Sequence, residues 1–187
     1  QLLDIVALDR ELSGRALKHF VKLAWHVLEP TTALLWGWHL DAVCDHVQAL
    51  LQGQLPTRRL LIAIPPGTAK SLVASVFSLA WQWGPGRRPG YRALCASYSG
   101  VLTVRDAVRC RRLIESPWYR ARWPEVELAS DQNEKRRFEN TATGFRAATS
   151  VGGTVTGDRG NLIVCDDLLS TQRAESEAYR REASEFF

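Results

Sequence analysis

Ile64-Pro65-Pro66-Gly67-Thr68-Ala69-Lys70-Ser71 is the stretch that decides the fold. An apolar run, Arg59–Ile64, precedes it, and an apolar helical run, Ser71–Trp83, follows. A lysine in the first turn of a helix is out of place, because the helix N-terminus carries partial positive charge. An anion at that point reverses the balance. A strand–turn–helix whose backbone N–H groups point inward is a phosphate cradle. On this reading Pro66, Gly67, Thr68, Ala69 and Leu72 line the cradle, Lys70 reaches the β- and γ-phosphates of a nucleotide, and the Ser71 hydroxyl turns to Mg²⁺. The general pattern has glycine at the positions of Ile64 and Ala69. Alanine narrows the backbone freedom there but adds only one methyl group.

Outward from the loop, apolar runs alternate with helical ones. Arg59–Ile64, Arg92–Ala96 and Asn161–Cys165 read as buried strands. Ser71–Trp83 and Val101–Glu115 read as helices, the second stopped by Ser116-Pro117. Arg137–Asn140 and Gly144–Ala148 suit a hairpin, with Trp118–Asn133 less regular before it. A glycine-rich loop, Val151–Gly160, leads into Asn161–Cys165, and a last amphipathic helix starts near Arg173. Before the loop, Leu3–Leu12, Ala16–Leu28 and Leu40–Leu51 carry apolar residues at helical spacing. The expectation is one domain over residues 1–187, with a helical region over 1–55 and a nucleotide-binding core over 56–187. Alternating strands and helices predict an α/β fold with a mostly parallel sheet covered by helices on both faces. Ligands of such sheets lie beyond the carboxyl ends of the strands.

The second chemical signal falls at such an end. Leu162-Ile163-Val164-Cys165-Asp166-Asp167 is an apolar strand closed by two carboxylates. Asp166 is read as the holder of the Mg²⁺ shell and Asp167 as the group that polarises an attacking water. Adjacent carboxylates need a metal or basic neighbours to stay ionised together. A phosphate loop about a hundred residues upstream leaves room for an intervening strand, the organisation of RecA-like (ASCE) P-loop ATPases.

Composition agrees without deciding. The chain has 187 residues, 45% hydrophobic and 24% charged, enough for one real core. No apolar run is long enough for a membrane helix, and the N-terminus lacks a signal-peptide pattern. The first residue is Gln and Met is absent, which suggests a piece of a longer protein. The four cysteines have no zinc spacing; Cys95 and Cys165, inside apolar runs, read as buried reduced thiols and point to a cytoplasmic setting. The net charge of +4 is carried mostly by arginine, which permits a phosphate-bearing partner. Arg105, Arg109 and Arg112 share a helix face that reads either as solvated or as a surface for DNA or a neighbouring subunit. The seven tryptophans read as core.

Several segments in order resemble the ATPase domain of tailed-phage terminase large subunits. They are Trp38-His39-Leu40-Asp41, Leu60–Ser71, Ala96-Ser97-Tyr98-Ser99, Ser116-Pro117-Trp118-Tyr119, Arg137-Phe138-Glu139-Asn140, Ala148–Gly153, Thr156-Gly157 and Asp166-Asp167. The resemblance runs from about residue 36 to 187. It implies an ATP- and Mg²⁺-dependent motor that acts as a homo-oligomeric ring in the host cytoplasm. Such a motor drives double-stranded DNA into a procapsid, with the portal and a small terminase subunit as partners. The family's separate C-terminal nuclease finds no counterpart here. Lys70 and Ser71 take the Walker A roles, Asp166 the Walker B role, and Asp167 the catalytic role that many members give to Glu. His39 falls where the family meets adenine. Ring ATPases complete the site with an arginine from the neighbouring subunit; Arg159 is the first candidate, Arg146 the second. A helicase-like RecA-class ATPase and a nucleotide-binding scaffold with weak turnover remain alternatives.

Overall fold

Residues 4–150, 157–170 and 174–185 are described by the structure, a computed structural model. The expected start of the first helix at Leu3, most of the Val151–Gly160 loop and the helix start at Arg173 lie outside them. The N-terminal region is helical as expected: α1 (Ile5–Arg15), α2 (Leu17–Leu28) and α3 (Trp38–Leu51). Asp4 caps α1 by accepting from the Val6 and Ala7 N–H groups at 3.0 and 3.2 Å. α2 buries Leu17, Phe20, Val21, Ala24 and Leu28, and α3 buries Leu40, Val43, Cys44, Val47 and Leu51. Both sets follow the i, i+3, i+4, i+7 rule for one apolar stripe.

The helix after the phosphate loop is continuous but not uniform. It opens as α4 (Lys70–Leu72), passes through a π turn (Val73–Phe77) and ends as α5 (Ser78–Trp83). Its far half is buried throughout and anchored from several sides. The Trp81 indole N–H donates to Ser13 O at 2.8 Å, and the Tyr119 hydroxyl donates to Ala80 O at 2.7 Å. Phe77 meets the Phe20 ring edge-on at 6.1 Å, which ties this helix to α2. Further helices are α6 (Gly100–Glu115), α7 (Pro117–Arg122) and α8 (Glu177–Glu185). Ser116 ends one helix and caps the next, its hydroxyl accepting from Tyr119 N–H at 3.1 Å ahead of Pro117 at the first helical position. A turn of helix, α7, and a strand thus occupy the stretch expected to be less regular.

The fold is α/β with a mixed sheet of five strands: β1 (Ala93–Ser97), β2 (Leu128–Asn133), β3 (Arg137–Asn140), β4 (Phe145–Ser150) and β5 (Leu162–Cys165). Their order is β2-β3-β4-β1-β5. β1 runs parallel to both β4 and β5, whereas β2, β3 and β4 form an antiparallel meander. The hairpin expected from Arg137–Asn140 is the β3–β4 pair. The meander is what makes the sheet mixed rather than mostly parallel, since short connections turn a strand back beside its predecessor.

Two sequence expectations need correction. Arg59–Ile64 is not a strand of this sheet. Leu60, Ile62 and Ile64 are set against the core and Leu61 is 93% exposed. Among the described residues the segment has no ladder partner, and it shares the lining of a groove with β5. Cys165 is exposed rather than buried. The register pairs Ala93 and Cys95 with Leu162 and Val164 on the helix-covered face. Ile163 and Cys165 therefore point to the other face, where Ile163 is 60% exposed. None of the four cysteines is in a disulfide.

Candidate nucleotide site

The turn over residues 65–70 has a backbone compatible with the expected phosphate cradle. Gly67 has φ 81° and Ala69 has φ 59°, two left-handed residues on either side of Thr68. Such alternation turns successive N–H groups toward one concavity. Glycine adopts it freely, whereas alanine is strained there. The Thr68 hydroxyl donates to Pro65 O at 2.7 Å and closes the turn. The side chain of Leu72 is buried in the core, so only its backbone can face a ligand.

The strand-end carboxylates meet this loop. Lys70 Nζ lies 3.0 Å from Asp167 Oδ1 and 3.5 Å from Asp166 Oδ1. Burial pulls the Lys70 pKa down, but the hydrogen bond it donates to Asp167 and the charges of Asp166 and Asp167 more than offset it, leaving the ammonium held above its ordinary value. Asp166 is mostly shielded, with its side chain 20% exposed, and Asp167 is open at 63%.

Parallel pairing of β1 and β5 brings the ends of both strands to one rim. The turn after β1 then grips the carboxylate pair through its backbone. Asp166 N–H donates to Ala96 O at 2.9 Å and Tyr98 N–H to Asp167 O at 3.0 Å. The Ser97 hydroxyl also reaches Asp167 O, at 3.4 Å. Asp167 is held at φ 47°, strained as Ala69 is.

A groove of about 1100 Å³ starts at Lys70, Asp166 and Asp167 and follows the outer edge of β5 past Leu61 to Arg58, Arg88 and Tyr91. Arg58 and Tyr91 were not legible as site residues, and Arg88 stood out only as part of an arginine-rich loop that read either as solvated or as a surface for DNA or a neighbouring subunit. Their signal, arginines in turn-rich segments, is too common to mean anything until the fold sets them on one rim.

Other candidates are dispersed. His39 sits in the first turn of α3, half-buried and edge-on to Trp38 at 6.4 Å. No described hydrogen bond joins it to the phosphate loop. Arg159 is exposed at the start of β5, so the strand of about 13 Å separates it from Asp166. Asp158 is taken by Arg137 at 2.8 Å. Arg146 is fully buried, at 0% exposure, and is removed as an arginine that could reach a neighbouring subunit. On α6, Arg105 pairs with Asp106 and Arg109 with Glu29, which neutralises most of the expected basic face. Trp81, Trp83 and Trp123 are core, as expected, but Trp38 is 82% exposed.

The donor set suits Mg²⁺ with nucleotide phosphates. That ion keeps several waters and takes one or two carboxylates besides phosphate oxygens, not a protein cage. Ser71 and Asp166 offer such hard oxygens, and among the described residues no group of three or more His, Cys, Asp or Glu side chains could form a cage. No described helix is long and apolar enough to cross a membrane. No family model, curated protein or solved structure matches the chain.

Proposed function

We propose that the chain is a Mg²⁺-dependent ATPase, and that it works as the DNA-translocating motor domain of a terminase-type packaging machine. The observation that carries the first part is the convergence of Lys70 with Asp166 and Asp167 beside a loop with left-handed residues at Gly67 and Ala69. Lysine, hydroxyl and paired carboxylates beside a phosphate cradle are the parts that phosphoryl transfer needs. ATP is the substrate. Its phosphates lie in the loop, and the Lys70 ammonium moves from the carboxylates to the β- and γ-oxygens. Ser71 and Asp166 would hold Mg²⁺, which would supply charge neutralisation for the phosphates. Released from Lys70, the open carboxylate of Asp167 orients and polarises the attacking water. Arg159, exposed and far from its own site, is the arginine offered to a neighbour in a ring.

The packaging role rests on the ordered motifs that resemble terminase large subunits, with double-stranded DNA, portal and small subunit as partners. The RecA-like classification belongs with it. A helicase-like translocase is the second reading, since the Ala96–Ser99 turn that grips Asp167 would serve either machine. The test is Mg²⁺-dependent hydrolysis by purified protein across a range of protein and DNA concentrations. Neither nucleotide binding nor turnover at high concentration would sink the ATPase. Strand separation without duplex translocation would favour the helicase.

A further inference from the structure

Arg146 is an arginine in the wrong place for an ordinary structural role. It lies on β4, between Ala93 of β1 and Phe138 of β3 in register, on the face that the helices cover. It is 0% exposed and has no ion pair with a carboxylate among the described residues. Its partners are backbone carbonyls. Nε donates to Ser75 O at 3.3 Å and one terminal nitrogen donates to Thr103 O at 3.4 Å, while the other has no described acceptor. Burying a guanidinium without a carboxylate is costly. An apolar side chain would fill the space more cheaply, so the bonds themselves are the reason to look for a role.

Ser75 is the middle residue of the π turn, where Ser78 N–H reaches back to Val73 O, an i→i+5 bond. A π turn holds one residue more than an α turn. Each residue of an α-helix rotates the chain by about 100°. If the turn relaxed to α geometry, one end of the helix would rotate against the other by about that angle. The far end cannot rotate, since Trp81, Tyr119 and the indole of Trp83 pin α5 to three other segments. The rotation would therefore fall on Lys70 and Ser71.

We infer that Arg146 is a positioning residue: by holding Ser75 O from beneath, it keeps the π turn and so fixes the phase in which the helix presents Lys70 and Ser71 to Asp166 and Asp167. The tie runs through one strand. β1 grips Asp167 through Ser97 and Tyr98 at its end, and β1 is in register with Arg146 through β4. Both halves of the site are thus referred to the same strand. The consequence for catalysis rests on the ATPase reading; the consequence for the geometry of Lys70 does not.

The test uses Arg146→Met, which removes the donors, and Arg146→Lys, which keeps the charge and some donor capacity. Fold is followed by the near-ultraviolet dichroism of the tryptophans. The placement of Lys70 is followed at neutral pH by the Cε chemical shift of ¹³C-labelled lysine, with Lys18, paired to Asp45 at 3.1 Å, as an internal control. Turnover is followed as kcat and KM. The expected result is a native tryptophan signal, a displaced Lys70 signal with Lys18 unchanged, and kcat lowered at least tenfold in the methionine variant. Arg146→Lys should recover part of both. A folded variant whose Lys70 signal stays where the parent has it overturns the inference. Loss of fold in both variants also overturns it, because the arginine then serves stability as a whole. If the parent protein hydrolyses nothing but Lys70 still responds to Arg146, positioning stands and the ATPase reading falls.

Discussion

Lys70 Nζ and Asp167 Oδ1 are 3.0 Å apart although the residues are 97 positions distant in the chain. The contact joins the phosphate loop to the strand-end carboxylates and defines the candidate site.

Removing the cation should remove the chemistry. Lys70→Ala is expected to lower ATP turnover by roughly 10²–10³-fold, the usual cost of losing one stabilising group at a developing charge. Asp167→Asn should lower kcat with little change in nucleotide affinity if, as proposed, Asp167 acts on water and not on the phosphates. Steady-state kinetics with a nucleotide-binding measurement separates the two. Unchanged turnover in Lys70→Ala would contradict the assignment.

Ala69 at φ 59° makes a second prediction. Ala69→Gly relieves a left-handed alanine, worth about 1–2 kcal/mol, and gives back about 0.4–1 kcal/mol of unfolded-chain entropy. The net expectation is a gain of about 0.5–1 kcal/mol, read as a higher urea midpoint at unchanged slope. A lower midpoint would show that the strain is relieved in some other way.

The N-terminal helices depend on a buried ion pair. Arg122 Nε lies 2.9 Å from Asp9 Oδ2, joining α7 to α1, and the guanidinium lies 4.5 Å from the centre of the Trp118 ring. Asp9→Ala leaves that guanidinium uncompensated and should destabilise by about 3–5 kcal/mol. The double variant Asp9→Leu, Arg122→Met should lose much less, since it leaves no orphaned charge. Equal losses in the single and double variants would contradict this.

Stability should fall in alkali. Burial pushes the Cys44 and Cys110 thiols from 9.0 up to about 12. The unfolded chain therefore loses these protons first, so unfolding releases protons and stability declines as pH rises from 9 toward 12. Each thiol contributes a slope of about 1.4 kcal/mol per pH unit. Lys70 acts in the same direction: its raised ammonium stabilises fully below 10.5, and that contribution fades as pH climbs through the higher folded value. Urea midpoints across this range should fall steeply in the parent and less steeply in Cys44→Ala and Cys110→Ala. An unchanged slope in either variant would exclude that thiol.

The helices were legible because their signal is local: a cap at Asp4, a stop at Ser116-Pro117, and apolar stripes in α2 and α3. The loop and the Asp166-Asp167 pair stood out in the sequence by residue type and spacing, and the structure brings Lys70 to within 3.0 and 3.5 Å of the two carboxylates. Arg59–Ile64 misled, since an apolar run has strand character whether or not a partner strand lies beside it. Cys165 misled because an apolar run does not say which face of a sheet is covered. Arg146 misled more deeply. In sequence it is one more arginine after a glycine, and only the β4 register turns it inward.

The sequence by itself determined the N-terminal helices, α6 and strands β1, β3, β4 and β5, because propensity and capping depend on near neighbours. It determined that a lysine, a hydroxyl and two carboxylates were available beside turns. Only the tertiary structure decided that the lysine and the carboxylates meet. Parallel pairing of β1 with β5 sets Asp166 and Asp167 at the rim, and the π turn sets the direction of the helix that carries Lys70. Strand order and helix phase are properties of packing between distant segments, and no window of sequence contains them.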